Sequence, residues 1–198
     1  MKVFSELSVG VIIGIFFMSS VKEKFKLPPE YLEALGRITS NFTVLELALI
    51  VSICQLIPEA QSMLITRLIA ADFFNVLLSK FKKVSIYLID KSDSISVEEK
   101  KELINEIKTF CNRLESITVE RDKIVHSLWF IDGEGKISRT KYKKNINIDP
   151  DIIDREPRTL ESMNEFAEQI MEAITLLSNI NGKIIKLRPV KFKDQFNE

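Results

Sequence analysis

Three long stretches of the chain place an apolar residue at every third or fourth position, the spacing of one face of an α-helix. They begin near Pro28, Ser96 and Thr159, and each continues for more than twenty residues before a proline or a change of period ends it. Six glycines and six prolines in 198 residues are too few for a turn-rich all-β fold. The sequence therefore predicts a mainly α fold, an antiparallel helical bundle.

Local signals mark the ends of the predicted helices. Pro28 and Pro29 suit a first helical turn, and Pro58 ends that helix. Its second half, Leu45 to Leu56, is apolar on nearly all sides, which predicts deep burial. Further helical stretches follow at 59–71 and 72–89, either as two helices or as one kinked unit.

The next two helices begin at recognisable caps. Ser96 and Glu99 form an S-x-x-E capping box, and Thr159 is a candidate N-cap for the last helix. Between these helices the period changes. The runs 129–131 and 137–143 flank Asp-Gly-Glu-Gly, which predicts a short β-hairpin after the second long helix. Residues 145–158 contain two prolines and no sustained period, and we expect a loop there.

Residues 1–27 form an apolar N-terminal extension to a helical domain at 28–198. The apolar run from Leu7 to Val21 is shorter than the roughly 20 residues that a bilayer span needs. Three interpretations stay open: a membrane anchor, a packed helix, or a true start at Met18. We expect a cytoplasmic protein, attached to a membrane through residues 7–21 if that run is an anchor, because the lysines after it favour the cytoplasmic side.

Charge and composition exclude several classes of function. The chain has 28 basic and 28 acidic residues, so binding to nucleic acid needs a local basic patch. A single histidine excludes a multi-histidine metal site within one chain. Cys54 and Cys111 lie among apolar residues, which favours buried thiols over a disulfide. Phosphate-loop and dinucleotide motifs are absent, and we expect neither a metal nor a cofactor.

Arg121 has an unusual position for an arginine. It lies in phase with Ile117 and Ile124 on the apolar stripe of its helix, where it must be paired or used. His126, the only histidine, follows about 140° further round an ideal helix. The two groups meet only if the helix ends near His126 or a second chain brings them together. Otherwise Arg121 pairs with Glu46 or another carboxylate, and His126 simply ends a helix.

The segment Arg121, Asp122, then His126 resembles the motif of the HEPN superfamily, Arg, a polar residue, then His after three to five more residues. The stretch YLEALGRITSNFTVLELAL and the run RDKIVHSLW, followed by a Gly turn and a basic strand, are similar to HEPN proteins of bacterial defence and toxin loci. The similarity covers roughly residues 28 to 185. It implies a helical bundle, a homodimer and, where the motif is active, metal-independent RNA cleavage.

That chemistry suits the residue types in the motif. Cleavage by the RNA's own 2′-OH needs a proton acceptor, a proton donor and positive charge on the phosphate. Histidine transfers protons near neutral pH, and arginine matches phosphate oxygens in bidentate fashion. A symmetric dimer would supply the second histidine. Asp122 would orient Arg121 or His126, and Ser127 would bind a phosphate oxygen.

Two further groups of residues support this hypothesis. Asn41 and Glu46, on the first helix, are candidate partners of Arg121, or else a polar pair that closes a helix interface. Arg139, Lys141 and Lys143 point to one side of a predicted strand and form a candidate phosphate-binding edge. The alternative is an edge strand that its lysines protect from aggregation.

The sequence thus predicts a metal-independent HEPN-type endoribonuclease, a toxin or antiphage effector with an antitoxin or defence-system partner. The alternative is a catalytically inactive HEPN-like module for dimerisation or scaffolding, tethered to a membrane if the N-terminal segment is an anchor.

Overall fold

The computed structural model describes residues 27–57, 72–132, 134–141 and 156–187. These residues form four helices, α1 Pro29–Leu56, α2 Phe74–Lys91, α3 Val97–Val125 and α4 Leu160–Lys186, and three strands, β1 Ser127–Ile131, β2 Ile137–Lys141 and β3 Glu156–Pro157. The predicted fold class, mainly α with a short β-hairpin after the motif helix, is confirmed. The N-terminal run 7–21, the predicted helix at 59–71 and Lys143 lie outside the described residues.

The described residues divide into two compact units. One, the helical unit, contains the residues from Arg37 to Arg121 and from Glu165 onward. The other, the sheet unit, contains the residues up to Gly36 and those from Asp122 to Asn164. The three strands belong to the sheet unit, and α2 belongs entirely to the helical unit.

Both predicted caps are confirmed by their hydrogen bonds. The Ser96 N–H donates to Glu99 Oε2 at 2.7 Å, and the Glu99 N–H donates to Ser96 Oγ at 3.2 Å. These bonds lower the pKa of Glu99. At the start of α4, the Ser162 N–H donates to Thr159 Oγ1 at 3.1 Å. Each cap satisfies N–H groups that have no partner within their own helix.

Helix α1 has two apolar faces, of which one is buried and the other is exposed to solvent. The buried stripe follows the predicted spacing and comprises Ala34, Ile38, Phe42, Leu45, Leu49, Ile53 and Leu56. The expectation that Leu45 to Leu56 is deeply buried all round is wrong, because Leu47 is 59% and Val51 44% exposed. No helix packs over that side among the described residues.

Polar groups on α1 bind partners on α4 within the helical unit. Arg37 forms an ion pair with Glu168 at 2.6 Å, and Gln55 Oε1 accepts a hydrogen bond from the Asn181 amide at 2.6 Å. By length and composition α1 is apolar enough to cross a membrane, a test that core helices of soluble proteins also pass.

The predicted hairpin forms, and a third strand extends it. β1 and β2 pair antiparallel with Trp129 opposite Arg139. The turn is held by Asp132 Oδ1, which accepts the Lys136 N–H at 2.8 Å, and by Gly135 at φ +81°, a conformation that favours glycine. β3 pairs with β2, with Glu156 opposite Arg139.

Two expectations about this region are wrong. At Arg139, β2 is the central strand of the order β1-β2-β3, not an edge. The predicted loop at 145–158 is described only at its C-terminal end, and that end contains strand β3. The reason is tertiary: two residues are enough to pair with a neighbouring strand but too few to show a sequence period.

The cysteines are both free thiols, as predicted. Cys111 is buried, and Cys54 is half-buried. Burial raises the pKa of Cys111 to about 11. That thiol is therefore a core side chain and a poor nucleophile.

Candidate active site

Arg121 lies half-buried on α3 and stacks on an aromatic ring of α1. Its guanidinium carbon is 4.8 Å from the ring centroid of Phe42, within the range of a cation–π interaction. Phe42 is itself buried and packs against Phe74, with ring centroids 4.9 Å apart and planes tilted by 41°. The helical phase that places Arg121 on an apolar stripe thus leads to an aromatic contact.

Glu46 lies one helical turn after Phe42 on α1, on the same face. Burial raises the pKa of Glu46, and the positive charge of Arg121 lowers it in part. The structure therefore brings the candidate partner Glu46 into electrostatic contact with Arg121. A half-buried carboxylate that loses water is stabilised in its charged form by such a neighbour.

Asn41, the other candidate partner on α1, is engaged by α4. Its side-chain amide donates a hydrogen bond to the Ala167 carbonyl at 3.0 Å. The Asn41 side chain therefore binds the backbone of α4. The bond satisfies a polar group at a packed helix interface.

His126 lies at the end of α3, in the turn between Val125 and the first residue of β1. Its backbone N–H donates to the Asp122 carbonyl at 3.1 Å, and its side chain is exposed. The helix therefore ends directly before the histidine. Asp122 is exposed, and its proposed orienting role stays a prediction.

Side chains of β1 bind the last carbonyls of α3. The Ser127 hydroxyl donates to the Lys123 carbonyl, and the Trp129 indole N–H donates to the Ile124 carbonyl at 3.3 Å. These bonds satisfy helix-terminal acceptors and hold the turn that carries His126. The hydroxyl of Ser127, a candidate phosphate ligand, is thus engaged by the helix end.

Arg121 belongs to the helical unit, whereas Asp122, His126 and Ser127 belong to the sheet unit. Within the first, the structure brings Arg121 together with Phe42 and Glu46. Within the second, it joins Asp122 to His126 through the backbone.

Of the predicted phosphate-binding edge, Arg139, Lys141 and Lys143, only the side chain of Arg139 is described, and it is buried in an ion pair. Arg139 is 3% exposed and forms an ion pair with Glu156 on β3. Lys141 ends β2, and its side chain, like Lys143, lies outside the described part of the chain. Glu156 also pairs with Arg158 at 2.8 Å. Any phosphate that binds Arg139 must therefore compete with Glu156.

Sequence reasoning did not identify Phe42, Glu156 and Arg158 as functional candidates. Phe42 is one of several apolar residues on the α1 stripe, and no local signal separates it from the others. Glu156 and Arg158 flank a proline with the alternation of a strand, but that pattern is too short to be distinctive.

Among the residues that the structure describes, no three His, Cys, Asp or Glu side chains lie together as a metal-binding group. No family model, curated protein or solved structure matches this chain.

Proposed function

We propose that this chain is a metal-independent endoribonuclease of HEPN type that works as a homodimer. The proposal is carried by two features of one segment: a half-buried arginine over the Phe42 ring and beside Glu46, and an exposed histidine at a helix end five residues later in the sequence. The resemblance of this segment to the HEPN motif supports the same assignment.

The proposed role of Arg121 is compatible with its contacts. The Phe42 ring attracts the positive charge of the guanidinium, whereas phosphate recognition uses its N–H groups as donors. Phe42 and Glu46 thus help to position the guanidinium. In the reaction, the arginine stabilises the negative charge that builds up on the phosphoryl oxygens.

The bond changes follow from the substrate's own nucleophile. His126 of one protomer accepts the proton of the RNA 2′-OH, and the 2′ oxygen forms a bond to phosphorus. The bond from phosphorus to the 5′ oxygen breaks, and a second histidine donates a proton to that oxygen. The products are a 2′,3′-cyclic phosphate and a 5′-hydroxyl. One chain has one histidine, so the second comes from a two-fold related protomer.

The resemblance extends the proposal to cellular context. A ribonuclease of this type acts in the cytoplasm as a toxin or antiphage effector, with an antitoxin or a defence-system partner that restrains it.

The decisive experiment is RNA cleavage by the full chain in the presence of a chelator. We expect cleavage with a 2′,3′-cyclic phosphate product, detected by mass spectrometry. His126→Ala should lose about 10²- to 10⁴-fold in rate with little change in RNA affinity, because it removes proton transfer alone. Arg121→Lys should also be slow, because a point charge does not reproduce the planar fork.

Arg113→Lys is the matched control for Arg121→Lys. Arg113 is on the same helix and forms an ion pair with Glu172 at 2.8 Å. Its variant should cleave at the wild-type rate. If the folded, dimeric wild type is inert with a chelator on varied RNAs, the scaffold function replaces this proposal. Activity that requires added Mg²⁺ would show that the proposed mechanism is wrong.

The dimer is tested separately by light scattering at micromolar concentration without RNA. We expect the mass of two chains. A monomer under these conditions contradicts the two-histidine mechanism.

A further inference from the structure

Two arginines of the sheet unit converge on one carboxylate. Glu156 Oε2 accepts from Arg139 Nη2, and Glu156 Oε1 accepts from Arg158 Nη2 at 2.8 Å. The three side chains carry a net charge of +1. This arrangement of two guanidinium groups around two oxygens is also the arrangement by which proteins bind a phosphate. We call Arg139 and Arg158 the arginine pair.

The two arginines are largely buried, whereas their carboxylate is half-exposed. Arg139 is on the central strand and 3% exposed, and Arg158 is 17% exposed. The Arg158 N–H donates to the Ile137 carbonyl at 3.0 Å, and its own carbonyl accepts the Tyr31 hydroxyl at 3.2 Å. Glu156, by contrast, is 54% exposed and sits in a strand of two residues. Among the three side chains, the carboxylate is therefore the most accessible to solvent.

The Glu156 carboxylate and an incoming phosphate compete for the same two guanidinium groups, and their negative charges repel. A guanidinium that is 3% exposed has lost most of its water and needs negative charge beside it. A phosphate therefore enters as the carboxylate leaves, and the carboxylate, already half in water, is readily solvated. A phosphate also offers more acceptor oxygens to the two planar groups than a carboxylate does.

Arg139, one of the arginine pair, shares a sheet face with the residue that follows His126. Directly opposite residues of an antiparallel pair project to the same face, and Arg139 lies opposite Trp129. Ser127 is two residues before Trp129 on the same face of β1, about 7 Å along the strand.

We propose that Arg139 and Arg158 form a binding site for a phosphate group, and that Glu156 occupies this site until the phosphate displaces it. The identification of the phosphate as part of an RNA backbone rests on the proposed ribonuclease function. In that role Glu156 competes with RNA, so it weakens binding to every RNA that cannot displace it.

The test measures binding of an RNA that cannot be cleaved, an oligonucleotide with 2′-O-methyl groups throughout, by fluorescence anisotropy with the full chain. Glu156→Gln should bind about tenfold more tightly than wild type, because the competing charge is gone. Its plot of log affinity against log salt should steepen by about 0.7, the value for one more phosphate contact on a single strand. Adding Arg158→Met to Glu156→Gln should abolish the gain.

Glu134→Gln is the matched control, since Glu134 is exposed in the hairpin turn of the same unit and its loss changes the net charge equally. It should change RNA affinity less than about twofold. A second measurement, the melting temperature in inorganic phosphate, should rise more for Glu156→Gln than for wild type. A phosphate effect without an RNA effect assigns the site to free phosphate and overturns its RNA role.

If Glu156→Gln and Glu134→Gln agree in both measurements, the arginine pair is only a structural ion pair and the proposal is wrong. Because the oligonucleotide cannot be cleaved, tighter binding supports the site whether or not His126 is catalytic. Conversely, cleavage by wild type with no effect of Glu156→Gln supports the ribonuclease and rejects this site.

Discussion

The stacking of Arg121 on Phe42 should be measurable as a thermodynamic coupling. At 4.8 Å from guanidinium to ring, a cation–π interaction is worth about 0.5–1 kcal/mol when exposed and about 2 kcal/mol when desolvated. Phe42 is buried and Arg121 is half-buried, so we expect an interaction energy between the exposed and the desolvated values, about 1 kcal/mol. Phe42→Leu also loses the tilted contact with Phe74, roughly another 1 kcal/mol.

The assay is a double-mutant cycle, in which unfolding of each variant in urea is monitored by circular dichroism. Phe42→Leu should lower the free energy of unfolding by about 2 kcal/mol, and Phe42→Leu with Arg121→Met should cost about 1 kcal/mol less than the sum of the single changes. The slope of the free energy against urea should stay constant across the variants, so that the comparison is between equivalent transitions.

Arg113→Met replaces Arg121→Met in the control cycle. Arg113 is eight residues earlier on α3, about 12 Å along the axis, and its ion pair is with Glu172. Its combination with Phe42→Leu should be additive within about 0.5 kcal/mol. A coupling between Phe42 and Arg121 that is no larger than this control would refute the claim that the ring positions the arginine.

Three further predictions concern stability and reactivity. Burial raises the pKa of Glu46 in the folded protein, so ionisation of Glu46 costs stability as the pH rises from its ordinary pKa through the raised one. Over that interval the melting temperature of Glu46→Gln should rise relative to that of wild type, and a constant difference between the two would contradict the raised pKa. Ser96→Ala should lower the free energy of unfolding by about 1 kcal/mol in urea, whereas replacement of the neighbouring exposed Val97 by Ala should have little effect, since only Ser96 caps α3. Cys111, with a pKa of about 11, should resist iodoacetamide at pH 8 until the protein unfolds, as read by mass spectrometry; rapid modification of the native protein would show that this thiol is accessible.

The candidate site was predictable in part. Arg121 could be identified because an arginine in phase with Ile117 and Ile124 breaks the pattern of its own helix. The end of that helix at His126 could be expected because the strand period begins directly after it. The ion pair between Arg139 and Glu156 could not be predicted, because the residues between them show no periodic pattern. The contact forms only when β3 pairs with β2.

The sequence by itself determined the elements whose causes are local. The capping box at Ser96, the cap at Thr159 and the Asp132–Gly135 turn each depend on hydrogen bonds between residues two to four apart, so residue types at fixed spacing are sufficient. The tertiary structure alone decided which side chains meet. It selected Phe42 from an apolar stripe as the ring under Arg121, and it made β2 a central strand by adding Glu156 and Pro157. Such contacts join distant segments, and their geometry depends on how whole helices and strands pack, which no local spacing records.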